Sequence, residues 1–197
     1  MRIYLASKSP RRQELLAQMG VVFDLLLIDT PEVLLPNEAA ETYSKRVVQE
    51  KMDAAWACIT QDKRTVMPVL CADTEVVFDG VILGKPHDYQ DAFNMLKNYS
   101  GRSHDVITSV GVTWFNYQKI VMHKTRVTFA DLTDEDINRY LATDNYKDKA
   151  GSYGIQSYIG QFISHIEGCF YSVMGLPLNA TRELLLKVEQ ETNGNLI

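Results

Sequence analysis

With 197 residues, 46% of them apolar and 23% charged, the chain can bury a sizeable core as one domain or two closely packed lobes, which excludes disordered, collagenous and disulfide-scaffold classes. A formal net charge of −5 argues against a general nucleic-acid binder, which needs a basic face to displace counterions from phosphates. No stretch approaches the ~20 apolar residues of a membrane-spanning helix, and Lys8, Arg11 and Arg12 come too early for a signal peptide, so a cytoplasmic protein with no membrane or polymer partner is expected.

In chain order, Ile3 to Ala6 reads as a strand that passes through Ser7-Lys8-Ser9 into a helix over Arg11 to Met19. Ser9 suits the N-cap, Pro10 the first helical position, and Gly20 a stop. Val21 to Ile28 reads as a second strand, and a proline-marked loop carrying Glu32 leads to a helix over Glu38 to Thr60. Tyr43, Val47, Lys51 and Ala55 recur along that helix at intervals of about four. Val69 to Ala72 is a short apolar strand ending at Asp73-Thr74, and Asp79-Gly80 between Val76-Val77-Phe78 and Val81-Ile82-Leu83 signals a hairpin. Asp88 and Asp91 cap a helix carrying Ala92, Phe93, Leu96 and Tyr99. Val106 to Phe115 and Ile120 to Phe129 form a long hairpin about Asn116-Tyr117, and Thr133 with Asp136 caps a helix to Thr143. Residues 144–160 are polar and glycine-bearing, without regular structure. Phe162 to Ile166 and Phe170 to Val173 are expected to pair as a hairpin about Glu167-Gly168, and Pro177 opens a closing helix whose tail, Thr192 to Asn195, frays. The order predicts an α/β protein with a mixed, curved sheet flanked by helices, two lobes around a central cleft, in a single domain over residues 1–197.

Five places carry chemistry. Ser7-Lys8-Ser9-Pro10-Arg11-Arg12 sets hydroxyls and cations at a helix N-terminus, a natural anion site, without the glycines of a Walker loop. Asp73 at a strand end and Glu32 on a loop could together hold a hard divalent cation that bridges phosphates and acidifies a water. Lys85, within Gly84-Lys85-Pro86, and Lys51, on a half-buried helix face, are candidate phosphate ligands, although a snorkelling stem also accounts for Lys51. In Asp148-Lys149-Ala150-Gly151-Ser152-Tyr153-Gly154-Ile155-Gln156 two glycines permit close backbone approach, and the Gln156 amide can pair with a base edge. Cys58, Cys71 and Cys169 are widely spaced and read as reduced thiols, and the four histidines lack metal-ligand spacing.

These segments, with Ala72-Asp73-Thr74, Ser100-Gly101-Arg102-x-His104-x-Val106 and Gly175-Leu176-Pro177-Leu178, resemble in order the Maf family of nucleoside triphosphate pyrophosphatases, over nearly the whole chain. The Tyr153-Gly154-Ile155-Gln156 form resembles the branch acting on dTTP and UTP. The resemblance implies hydrolysis of the α–β phosphoanhydride to monophosphate and pyrophosphate with Mg²⁺ or Mn²⁺, and a homodimer. It makes Asp73 the catalytic carboxylate and metal ligand and Glu32 the second acid. Lys51 joins them in the catalytic group and, with Ser7, Arg11, Arg12 and Lys85, binds the triphosphate, while Thr74 and Gln156 line the site. The chain departs from the family pattern at Glu75, where an apolar residue is expected, and at Pro31, where an acid commonly precedes the one matched by Glu32. Two other readings are an aspartyl-phosphate phosphatase, from the apolar strand ending in Asp73-Thr74-Glu75, and a nucleotide-binding regulator of septum formation without turnover.

Overall fold

In the computed structural model, which describes residues 1–194, strand and helix alternate at first and antiparallel pairs follow. The opening elements are β1 (Arg2–Ala6), α1 (Pro10–Gln18), β2 (Val22–Leu25), α2 (Ala40–Gln61) and β3 (Val69–Phe78). Next come β4 (Val81–Leu83), α3 (Tyr89–Tyr99), β5 (Ser103–Trp114), β6 (Tyr117–Phe129) and α4 (Asp134–Leu141). Two 3-10 turns (Ala150–Ser152 and Tyr158–Phe162), β7 (Ile163–Glu167), the one-turn α5 (Phe170–Val173) and α6 (Leu178–Gly194) complete the chain. Seven strands form one mixed sheet in the order β2-β1-β3-β5-β6-β7, with β4 on β3. β1 is parallel to β2 and to β3, whereas β3–β4 and β6–β7 are antiparallel. The expected mixed α/β sheet flanked by helices is present.

The described residues fall into two compact units. The first takes Met1–Asp73, Thr108–Met122 and the stretch from Gly175; the second takes Thr74–Ile107 and His123–Met174. In the first, Tyr4, Ala6, Val69 and Cys71 of β1 and β3 pack against Val48, Met52, Ala55 and Ile59, a stripe along α2 at helical spacing. Ser44 donates to Ser109 across 2.8 Å, tying the buried side of α2 to β5. In the second unit Tyr99, Phe129, Tyr140 and Leu96 centre a core built from α3, α4 and the strands.

Local capping signals are realised. Ser9 is the N-cap of α1 with Pro10 inside it, Asp88 accepts from the Asp91 N–H, and Thr133 with Asp136 closes a reciprocal capping box. Asp79 and Gly80 both take positive φ in the β3–β4 turn, as a two-residue hairpin demands.

Elsewhere tertiary partners overrule the local pattern. β3 does not end at Ala72; it runs through Asp73 and Thr74, between the end of its pairing with β1 at Ala6↔Cys71 and the start of its pairing with β4 at Val76↔Leu83, with β5 as its neighbour on the other side. β2 stops at Leu25, and α2 starts two residues after Glu38, whose carboxylate accepts the Leu35 N–H and the Arg46 guanidinium instead. The long hairpin turns at Phe115-Asn116, with Phe115 at φ 48°. The second expected hairpin does not form. Ile163–Glu167 pairs with β6, but the Cys169 N–H donates to Thr125 Oγ1 at 3.0 Å and Ser172 Oγ donates to the Cys169 carbonyl at 2.7 Å, which winds Phe170–Val173 into a helical turn. Where fraying was expected α6 continues to Gly194; Asn195 lies outside the described residues.

Candidate active site

The order of the parallel strands sets the place. From β1 the chain moves through α1 to β2 on one side, then through α2 to β3 on the other. Where strand order reverses in this way, ligands bind outside the carboxyl ends of the two strands. Ser7 follows the end of β1, and Asp73 lies two residues past Cys71, the last residue of β3 paired with β1. Asp73 is therefore within a strand, yet beyond the parallel ladder.

Lys51 is brought there by the burial stripe of α2, one turn from Val47 and one from Ala55, and its side chain is only 10% exposed. An ammonium at that depth requires counter-charge. It donates to Asp73 Oδ1 at 2.6 Å and also lies 2.6 Å from Glu32 Oε1. Asp73 is as buried as Lys51, whereas the Glu32 side chain is 49% exposed. The Glu32 loop is held down by α2: Tyr43 donates to the Glu32 carbonyl at 3.2 Å and Arg46 to the Val33 carbonyl at 2.9 Å. Arg46 also grips both oxygens of Glu38 at 2.7 Å and Glu50 at 2.8 Å, and its bonds hold the Glu38 carboxyl below the usual carboxylate range. The two acids singled out in the sequence thus meet on one cation, Lys51, which periodicity placed only on a half-buried helix face. Arg46, the brace behind Glu32, was missed; its signal was an Arg one turn before Glu50 on α2.

Beside β1, the buried Ser7 hydroxyl accepts from the Ser9 N–H at 3.1 Å and from Arg12 Nη1 at 3.4 Å, and Arg12 Nε donates to the Gly175 carbonyl at 2.9 Å. No acidic side chain stands in the first turn of α1, so nothing there offsets the positive end of its dipole. Arg11 is half-buried on the same turn, while Lys8 is turned to Asp29 at 3.2 Å in solvent. Burial pushes the Cys71 thiol up to about 12 despite the charges of Lys51 and Arg12, which removes it as a nucleophile.

A family model described as Maf-like protein matches residues 2–188. The chain belongs to the Maf family. It is 45% identical over 184 residues to the dTTP/UTP pyrophosphatase of Chromobacterium violaceum, covering 93% of each chain. Against the dTTP/UTP pyrophosphatase of Photobacterium profundum it is 46% identical over 183 residues, covering 92% and 93%. Against that of Escherichia coli strain K12 it is 45% identical over 183 residues, covering 93% and 91%.

The remaining Maf-motif residues belong to the second unit. Thr74 is half-buried on β3, Glu75 is buried one residue further on, Lys85 is exposed after β4, and Gln156 is exposed at the end of a buried loop. For a Maf protein the question of a metal turns on Asp73 and Glu32. Both are hard oxygen donors converging on the point where Lys51 now places positive charge, a donor pair suited to a hard divalent cation that keeps waters and takes phosphate oxygens. Among the described residues no group of three or more His, Cys, Asp or Glu is placed to hold an ion. Two carboxylates therefore suit a cation that shares its coordination with the nucleotide.

Proposed function

We propose that this chain hydrolyses the α–β phosphoanhydride of nucleoside triphosphates, dTTP and UTP first among them, to the monophosphate and pyrophosphate. The observation that carries the reading is the Lys51 bridge between Asp73 and Glu32, just beyond the point where the parallel pairing of β1 and β3 ends. Relatives of this length and identity that are named dTTP/UTP pyrophosphatases support it.

Phosphoanhydride hydrolysis requires neutralised phosphates, a positioned water and a stabilised leaving pyrophosphate. Ser7, Arg11, Arg12 and the N-terminus of α1 supply donors and positive charge to the phosphates, with Lys85 a further cation. Asp73 is the carboxylate that takes the proton of the attacking water, and Glu32 is the second acid. Lys51 holds both acids aimed at one point, and can lend its remaining N–H to a phosphate oxygen. When Mg²⁺ or Mn²⁺ is held by Asp73 and Glu32, it adds charge neutralisation and acidifies a bound water. Thr74 lines the site, and the Gln156 amide reads the edge of the base. No covalent intermediate is required. A homodimer, implied by the family resemblance, and a cytoplasmic setting, consistent with three free thiols, are proposed with it. No helix among the described residues is long and apolar enough to cross a membrane.

The test is a panel of canonical and modified triphosphates with Mg²⁺ or Mn²⁺, run on wild type and Asp73→Asn. The reading expects turnover of dTTP and UTP by wild type and its loss in the variant. Binding of nucleotide by wild type without turnover of any member would favour the regulator instead.

A further inference from the structure

The segment 148–156 is polar and carries two glycines, a composition that ordinarily gives a mobile surface turn. Here its middle is sunk into the second unit: Gly151, Ser152, Tyr153, Gly154 and Ile155 are all buried, between an exposed Asp148 and an exposed Gln156. Such burial needs anchors. The Tyr153 hydroxyl lies 2.7 Å from His104 Nε2, and the imidazole is stacked on Tyr99 with centroids 4.4 Å apart and lies parallel to Phe129 at 5.8 Å. Tyr99 donates to the Gly151 carbonyl at 3.2 Å, and the Gly151 N–H donates to the Gly84 carbonyl at 3.0 Å, next to Lys85. Gly151 has φ +67°, and a Cβ there would stand 2.7 Å from Val76 Cγ2 and 2.8 Å from the Tyr99 hydroxyl. Ser152, with a side chain, also takes φ 67°, and its hydroxyl meets the Met95 sulfur at 3.0 Å. Two successive left-handed residues in a buried segment persist only where the surroundings over-determine them.

We propose that His104 and Tyr153 are positioning residues for base selection: their buried hydrogen bond locks residues 150–156 in the one conformation that presents the Gln156 amide to the nucleobase. This rests on the reading of Gln156 given above. Neither residue touches the nucleotide. His104 Nδ1 is buried without a hydrogen-bond partner, so the bond to Tyr153 is the polar tie that the ring makes among the described residues, and losing it leaves the ring with none.

The experiment compares kcat/KM for UTP and CTP, which share their phosphates and ribose and differ at the base edge, in wild type, Tyr153→Phe, Gln156→Ala and the double variant. The expected result is a wild-type preference for UTP that falls about five- to tenfold in Tyr153→Phe, the worth of one buried hydrogen bond. Gln156→Ala should lose as much, and the double variant no more, because both changes act through the same amide. A Tyr153→Phe protein that melts earlier but keeps the wild-type preference, with Gln156→Ala losing it, overturns the inference alone. A wild type without preference, or a Gln156→Ala protein that keeps it, overturns the base-contact reading and the inference with it. Should Tyr153→Phe fail to fold, His104→Gln, which retains a hydrogen-bonding group facing the hydroxyl, is set against His104→Phe. Preference kept by the first and lost by the second supports the role; equal preference in both overturns it.

Discussion

Lys51 on α2 and Asp73 on β3 are joined by a 2.6 Å charge-assisted bond in which both side chains are nearly buried. The bond ties the helix that follows β2 to the strand beyond it, and Glu32 completes the group from a loop. A buried ammonium between two carboxylates constrains what each residue can be replaced by.

Removing the cation is the first consequence. Lys51→Met leaves Asp73 buried beside Glu32 with their shared counter-charge gone, and breaking such a pair from one side costs about 3 kcal/mol, the lower end of the range because Glu32 is half in solvent. Denaturant unfolding should show this loss. Adding Asp73→Asn in the Lys51→Met background should recover part of it, since the carboxylate left behind is then neutral.

The two acids should not be equal. Asp73→Asn keeps shape and a hydrogen-bond acceptor for Lys51, so the fold should stand while kcat falls about 10²- to 10⁴-fold, as expected for loss of a positioned base. Glu32→Gln, at a half-exposed position where water can substitute, should cost less. Single-turnover rates on both variants check the order, and a greater loss at Glu32 would exchange their roles.

Arg12 is preoriented by the Gly175 carbonyl and the Ser7 hydroxyl. Arg12→Ala should raise KM for the triphosphate by about tenfold or more, as loss of a charge-assisted phosphate bond implies, with a weaker salt dependence of binding than wild type. Arg12→Lys should recover little, because a lysine cannot reach the carbonyl and the phosphate at once. Steady-state kinetics at two ionic strengths decide this.

The second unit predicts a pH dependence of stability. Burial holds the His104 imidazole down to about 4, against a smaller opposing influence from the Asp105 carboxylate. The unfolded chain takes up this proton near pH 6.5 and the folded chain does not, so the contribution is complete above about 6.5 and is lost as pH falls toward 4. The linked loss is about 3 kcal/mol across that window. Unfolding free energies measured from pH 7 to pH 4 should fall less steeply in His104→Gln than in wild type; identical slopes would show that His104 titrates normally.

Signals confined to a few neighbouring residues were legible. Ser9-Pro10, Asp88 with Asp91, Thr133 with Asp136 and Asp79-Gly80 each carry their own hydrogen bond or backbone preference, and each forms as read. The chemical residues were legible as types at strand and helix ends. What could not be read was decided by groups distant in sequence. Asp73 looked like a strand terminus because the apolar run stops before it, yet β3 continues past it, with β5 alongside and β4 taking the place of β1 from Val76 on. Phe170–Val173 looked like a strand until the Thr125 hydroxyl, from β6, captured the Cys169 N–H. Lys51 fitted a surface lysine with a buried stem equally well, since its partners come from a loop and a strand that periodicity on α2 cannot locate.

Which phosphoanhydride bond is cut decides the function. Following dTTP turnover by the wild-type protein with phosphorus NMR reads this directly, with Mg²⁺ or Mn²⁺ present. dTMP and pyrophosphate appearing together as the first products are predicted; dTDP and orthophosphate as the first products would contradict it.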